Sequence, residues 1–281
     1  MQPIFPYWEP LSIPIGPLTV HGFGILVAIG FVLGAQVGMR KARRDGLDPD
    51  FINRVVGWLV LGVFVGGHLG HMLFYYPDEL LEDPMKLFRV WEGLSSFGGF
   101  IACTLLVIWF YWNENRKRGV ANLALQAAGK PLLPRLQGWG YADALIYGFT
   151  IGWFFGRMGC FSAHDHPGLE TTFFLAVPGM CPGREGDVLV ACHDLGLYEA
   201  LWSLAMFGVF YVLDRKPRFP GFFVAIWCMS YGPIRLLMDA FRHPAQDTRY
   251  FGMTPAQYGS VALFALGVAI YARRRHEPPL R

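Results

Sequence analysis

Seven runs of about 20 predominantly apolar residues follow one another along the chain, at roughly 18–39, 54–76, 94–113, 139–162, 196–213, 220–240 and 256–272. Each is long enough to cross a bilayer as a helix, where the helix satisfies its own backbone groups. The breaks between the runs are polar or rich in Gly and Pro, with no internal repeat, no low-complexity tract and no stretch that reads as a soluble domain. The pattern predicts an all-α integral membrane protein. It is a single polytopic membrane domain over residues 1–281, with seven transmembrane helices and a long loop at 163–195.

Composition agrees. Of 281 residues, 53% are hydrophobic and only 16% charged, against about 25% charged in soluble domains, and the mean hydropathy is +0.33. A net charge of +3, without a basic stripe carrying interleaved aromatics, speaks against nucleic acid as a partner. The opening MQPIFPYWEP lacks a basic n-region, so the first span is expected to act as the targeting signal. Lys and Arg set the orientation. Those after spans 1, 3 and 5 and in the tail, from Arg40 to Arg281, far outnumber Lys86, Arg89, Arg184, Arg242 and Arg249 on the other side. The N-terminus is therefore expected outside and the C-terminus in the cytoplasm.

Orientation gives each polar residue a depth. His68, His71, Arg157, Tyr231 and Arg235 fall in the outer half, as do Ser95, Ser96, Gly98 and Gly99 at the mouth of span 3 and Tyr198 and Glu199 at the start of span 5. An arginine at membrane depth costs roughly 2.5–3.5 kcal/mol on insertion scales, so Arg157 and Arg235 mark a functional site. Asp143 lies about 21 Å from Arg157 along the same helix; it is expected to cap the inner start of span 4. In span 6, Tyr231, Arg235, Asp239 and Arg242 share one helical face. Either Arg235 and Asp239 satisfy each other, or the stripe faces a polar cavity in which arginine holds an anion through its planar fork. Two arginines on different helices at the outer leaflet suit a phospholipid headgroup.

Gly98 and Gly99 admit two readings, close helix packing or a break in the helix whose freed backbone lines a cavity. His68 and His71 read as buried groups hydrogen-bonded to neighbouring helices. His164-Asp165-His166 has no metal-ligand spacing, so no metal is expected, and a base or proton carrier fits the triplet better. Cys181 and Cys192 share the outer loop, where a disulfide can form; Cys103, Cys160 and Cys228 read as packing residues. Segment 77–93 mixes acidic residues with Leu, Phe and Trp, as an amphipathic arm on the outer interface would.

The order of these features resembles the prolipoprotein diacylglyceryl transferase family over nearly the whole chain: the glycine pair at span 3, GR-x-G-x-F at span 4, L-Y-E at span 5 and Y-G-x-x-R at span 6. The resemblance implies a transferase of the bacterial inner (cytoplasmic) membrane, multi-pass, with its site towards the outer side. Such an enzyme moves the diacylglyceryl group of phosphatidylglycerol to the lipobox cysteine thiol of prolipoprotein signal peptides and needs no cofactor. A thioether forms and glycerol 1-phosphate leaves.

Position by position, Arg157 matches the family's lipid-binding arginine, Arg235 its second essential arginine and Tyr231 the tyrosine one turn before. Gly98, Gly99, Gly156, Gly159 and Gly168 fall on family glycines, and Asp143, Tyr198, Glu199 and Arg242 find counterparts. Arg157, Tyr231, Arg242, Gly98, Gly99 and Asp239 are the expected substrate-binding residues. The departures fall on the proton-handling half: Cys160 and Ala163 replace asparagines, Asp165 a glutamate, Phe23 a tyrosine, and Phe97 the histidine proposed as base. His164, Asp165 or His166 then takes over the base role beside Arg235 in catalysis. The alternative is a non-catalytic or redirected paralogue that binds anionic phospholipid.

Overall fold

A computed structural model describes residues 4–16, 18–89, 93–179, 181, 190–242 and 250–280. Arg184, Arg249 and the end of the expected arm at 90–92 lie outside the described residues. The chain forms two units, Met1–Leu47 with Trp139–Arg281, and Asp48–Gly138.

The larger unit opens with a hairpin, β1 (Ser12–Ile15) against β2 (Leu18–His21), which runs into helix α1 (Gly22–Arg44). Span 1 was expected from residue 18; the helix starts four residues later because the alternating Leu18-Thr-Val-His21 pairs as a strand. The smaller unit holds α2 (Pro49–Tyr75), the short α3 (Pro77–Glu82), a 3-10 turn (Pro84–Phe88) and α4 (Ser96–Ala127). The larger unit resumes with α5 (Gly138–Ala163), strands β3 (Pro167–Glu170), β4 (Val177–Gly179) and β5 (Val190–Asp194), then α6 (Leu195–Leu213), α7 (Phe222–Asp239) and α8 (Pro255–Arg274). The three strands form an antiparallel sheet in the order β3-β5-β4. A disulfide joins Cys181 to Cys192 of β5, which settles a pairing that the sequence left open.

Among the described residues, each of the seven helices of 18 or more residues overlaps one apolar run. Four of them, Gly22–Arg44, Pro49–Leu73, Leu195–Leu213 and Pro255–Arg274, are long and apolar enough to cross a membrane by length and composition. Their outward faces are apolar, with Val32, Leu61, Val212 and Val261 all more than half exposed. A water-soluble fold would bury such rows; a multi-pass membrane protein turns them to lipid.

Small residues bring the helices together. Gly30 and Gly34 of α1 meet Gly152 and Gly148 of α5 so closely that a methyl group on Gly30 would lie 2.7 Å from the Gly152 carbonyl oxygen. In the smaller unit Gly66 packs on Ala102, and Gly98 on the backbone of Gly66 and Gly70. The glycine pair therefore does not break its helix. Ser95 caps α4 by accepting from the Gly98 N–H, the helix runs through both glycines, and Gly98 serves the packing of α2 on α4. His68 is 1% exposed and hydrogen-bonded, though to the carbonyls of Gly93 and Lys86 rather than to a neighbouring helix. The expected arm is present as α3 and the 3-10 turn, with Leu81, Met85 and Phe88 exposed.

Asp143 is the main departure in the larger unit. It does not cap its own helix: its carboxylate accepts from the backbone N–H groups of Gly221 (2.7 Å) and Val224 (3.0 Å) and so caps α7. Gly221 takes φ +96°, a conformation open to glycine, to present its N–H there. The aromatic core of Tyr147, Phe210, Phe223 and Trp227 packs behind this cap and fixes α5, α6 and α7 together. Asp143→Ala is expected to leave two buried N–H groups unpaired at about 1–3 kcal/mol each. Thermal unfolding in detergent should show a clearly lower midpoint for Asp143→Ala and a smaller loss for Asp143→Asn, which keeps one acceptor.

Candidate active site

Arg157 sits in the last two turns of α5, 9% exposed, among apolar side chains. A buried guanidinium needs a counter-charge, and Glu199 in the second turn of α6 supplies it. Arg157 Nη2 lies 2.9 Å from Glu199 Oε2, and Glu199 is 1% exposed. The other carboxylate oxygen, Oε1, accepts from Trp153 Nε1 at 3.0 Å and from the Tyr231 hydroxyl at 2.5 Å. Trp153, one helical turn before Arg157, also places its ring 4.6 Å from the guanidinium carbon. Three helices are thus tied to one carboxylate. Asp194 holds α6 in place as its N-cap, accepting from Leu197 N–H at 2.8 Å; burial pushes its carboxyl up to about 7 despite that bond.

Arg235, one turn after Tyr231 on α7, makes no hydrogen bond or ion pair among the described residues. Of the two readings of this face, the Arg235–Asp239 pair does not form. Asp239, 2% exposed, instead accepts from the Thr254 hydroxyl at 2.9 Å and so fastens α7 to the cap of α8. That places Asp239 in the scaffold rather than in the stripe expected to bind substrate.

His166 reports how the arginines gather. Its Nε2 lies 3.4 Å from Arg157 Nη1. Burial, and then the positive charges of Arg157, Arg242 and Arg235, lower its imidazole to about 3. One ring thus senses Arg157 of α5, Arg235 of α7 and Arg242 just beyond α7. His166 is therefore a poor proton acceptor, which argues against it as the base. His164 points elsewhere: with φ 55° it stacks on Tyr7 and Trp8, and its Nε2 lies 3.0 Å from the Trp8 carbonyl oxygen. Asp165 is exposed between them, and burial raises its carboxyl while the His164 charge lowers it. His164 thus turns to the N-terminal segment, while Asp165 and His166 stay close to each other.

Cys160 Sγ, an Asp165 oxygen and a His166 nitrogen lie within 4.8 Å of one another. Arg157 Nη1 also lies 3.8 Å from Cys160 Sγ. A fixed positive charge on two of the three groups opposes a cation there, and the surroundings favour an anion. His193 Nδ1 lies 2.8 Å from the Tyr198 hydroxyl, and Asp194 serves as the cap of α6.

Sequence reasoning found Arg157, Arg235 and Tyr231 but gave Glu199 and Trp153 no role. L-Y-E at the head of span 5 was the available signal, since a buried arginine demands a nearby acid. Gly98 and Gly99 belong to α4 of the other unit, and a methyl group on Gly99 would meet only ordinary contacts. The side chain of Phe97 lies outside the described residues.

The sequence profile of the family described as prolipoprotein diacylglyceryl transferase matches residues 10–273. A protein of Chromohalobacter salexigens, named phosphatidylglycerol–prolipoprotein diacylglyceryl transferase, is 30% identical over 280 residues, 98% of this chain and 95% of the relative. Proteins of the same name from Solidesulfovibrio magneticus (31% over 277 residues, 96% of each chain) and Burkholderia thailandensis (30% over 305 residues, 97% of each chain) are similar to it along their whole length.

Removing Glu199 strands a buried charge, at about 3–5 kcal/mol. Glu199→Gln is expected to lower the unfolding midpoint, and added glycerol phosphate to restore more of it than in the wild type, because the anion replaces the missing charge. The pH dependence has a defined sign. The folded chain keeps His166 unprotonated down to about 3, whereas an unfolded histidine binds a proton near 6.5. His166 therefore costs stability as pH falls from 6.5 towards 3. Equilibrium unfolding across that range should show a shallower acid decline for His166→Gln.

Proposed function

The chain belongs to the prolipoprotein diacylglyceryl transferase family, and from that premise we propose that it moves the diacylglyceryl group of phosphatidylglycerol to the lipobox cysteine of prolipoprotein signal peptides, the first step of lipoprotein maturation. It works as one polytopic domain of seven spans in the bacterial inner membrane, N-terminus outside, C-terminus in the cytoplasm and site towards the outer face. The Lys and Arg asymmetry supports that orientation. So does the Cys181–Cys192 disulfide in the loop assigned to the oxidising side.

The buried Arg157, tied to Glu199 at 2.9 Å and 3.4 Å from His166, with the charges of Arg235 and Arg242 acting on the same ring, carries this reading. Glu199 cancels one of these charges and Arg235 has no partner among the described residues, so the site holds a surplus of positive charge suited to a phosphodiester. Arg157 and Arg235 grip the phosphate and stabilise the charge that grows on it as the carbon–oxygen bond to the diacylglyceryl group breaks. Arg242 adds to the same field. Tyr231, through Glu199, keeps Arg157 aimed. The thiolate of the acceptor is the nucleophile, so the chain needs no cysteine of its own.

Purified protein incubated with phosphatidylglycerol and a lipobox peptide should yield a diacylglyceryl adduct on the peptide cysteine by mass spectrometry. Arg157→Ala and Arg235→Ala are each expected to slow it about 10²–10³-fold; full activity in both would remove the clamp. Phe97, Cys160 and Ala163 at positions where the family has His and Asn favour a second reading, a paralogue that binds anionic lipid without turnover. Bound lipid with no adduct is its signature.

A further inference from the structure

Within the larger unit, the hairpin, the first turn of α1 and the end of α5 enclose a pocket of about 240 Å³. Pro10, Leu11, Phe23 and Ala163 give it an apolar wall, and His21 and Asp165 are its titratable groups. It falls below the roughly 300–1,000 Å³ of pockets that swallow whole ligands, so it suits one side chain rather than an acyl chain. It also adjoins the arginines. An Asp165 carboxylate oxygen lies within 4.8 Å of a His166 ring nitrogen and of Cys160 Sγ, and Arg157 Nη1 reaches His166 at 3.4 Å and Cys160 at 3.8 Å.

His21 is held for a task. It stands opposite Ser12 in the hairpin register, and its Nδ1 lies 3.2 Å from the Ser12 hydroxyl oxygen. With Nδ1–H donated there, Nε2 carries the lone pair, and it makes no hydrogen bond among the described residues. His164 and His166, by contrast, are engaged with the Trp8 carbonyl and Arg157.

We propose, resting on the transferase reading, that this pocket seats the side chain of the acceptor cysteine and that His21 Nε2 takes its thiol proton. The sulfur then attacks the diacylglyceryl carbon bonded to the phosphate oxygen. The sulfur–carbon bond forms, the carbon–oxygen bond breaks, and its electron pair leaves on glycerol phosphate held by the arginines. The proton passes from the imidazolium to the departing phosphate. Asp165, the other titratable group in the wall, offsets the imidazolium charge. The base that Phe97 does not provide is thus supplied by the N-terminal hairpin.

The test uses the full-length protein, phosphatidylglycerol and a lipobox peptide. His21→Gln should lower adduct formation about 10²–10⁴-fold at neutral pH while phosphatidylglycerol binding stays unchanged. Activity should return with added imidazole, and as pH rises past about 8.5, where the thiol ionises unaided. Ala163→Phe, which fills the pocket, should raise the peptide KM with lipid binding intact. A wild-type rate and pH profile in His21→Gln, or a loss that neither imidazole nor high pH relieves, overturns the base assignment. An unaltered peptide KM in Ala163→Phe overturns the subsite. Absence of any adduct from the wild-type protein defeats the transferase reading itself, and this proposal with it.

Discussion

The ion pair between Arg157 and Glu199 lies in a bundle whose other side chains are overwhelmingly apolar, and the surrounding structure answers to it. Two ions stripped of water are costly, and their attraction offsets that only when geometry is good and the remaining lone pairs are satisfied. Glu199 meets the condition by accepting from Arg157, Trp153 and Tyr231. Each of those contacts needs α5, α6 and α7 at fixed separations. The Asp194 cap starts α6 in register, the Asp143 carboxylate starts α7, and the glycine contacts seat α1 on α5. A shift of about an ångström in α5, α6 or α7 would stretch these contacts beyond hydrogen-bond range.

What that network leaves unsatisfied is as telling as what it binds. Arg235 has no partner among the described residues, and Asp239, on the same helix, is turned to Thr254. Arg157 Nε is likewise buried without a hydrogen-bond partner among the described residues. Positive charge left in this state within a low-dielectric site lowers the cost of bringing in an anion. Burial and then the same field keep His166 neutral, which favours giving the phosphate and the thiol proton to different groups. In the proposed reaction the hairpin carries the second task.

The helices were legible because membrane thickness imposes run length and apolarity together. The arginines were legible because charge at that depth is rare enough to be a signal. Glu199 was named through the resemblance but left without a role, since its partners are separated from it by 32 to 46 residues and meet only through helix packing. Asp143 was misassigned for a related reason: capping is usually local, and here the capped N–H groups stand 78 and 81 residues away. The sheet β3-β5-β4 escaped notice because its strands are three to five residues long and pair across a loop. The adjacency of His164, Asp165 and His166 in the sequence hid their different surroundings, for His164 turns to Trp8 while Asp165 and His166 stay beside Cys160.

The central claim is that Arg157 and Arg235 grip one phosphate. Phosphatidylglycerol affinity in nanodiscs, measured for the wild type, Arg157→Gln, Arg235→Gln and the double variant, tests it as a double-mutant cycle. If both arginines share the headgroup, the double variant should lose clearly less than the sum of the two single losses, a coupling above about 0.5 kcal/mol. Losses that add to within about 0.3 kcal/mol would place the arginines on separate tasks and contradict the account.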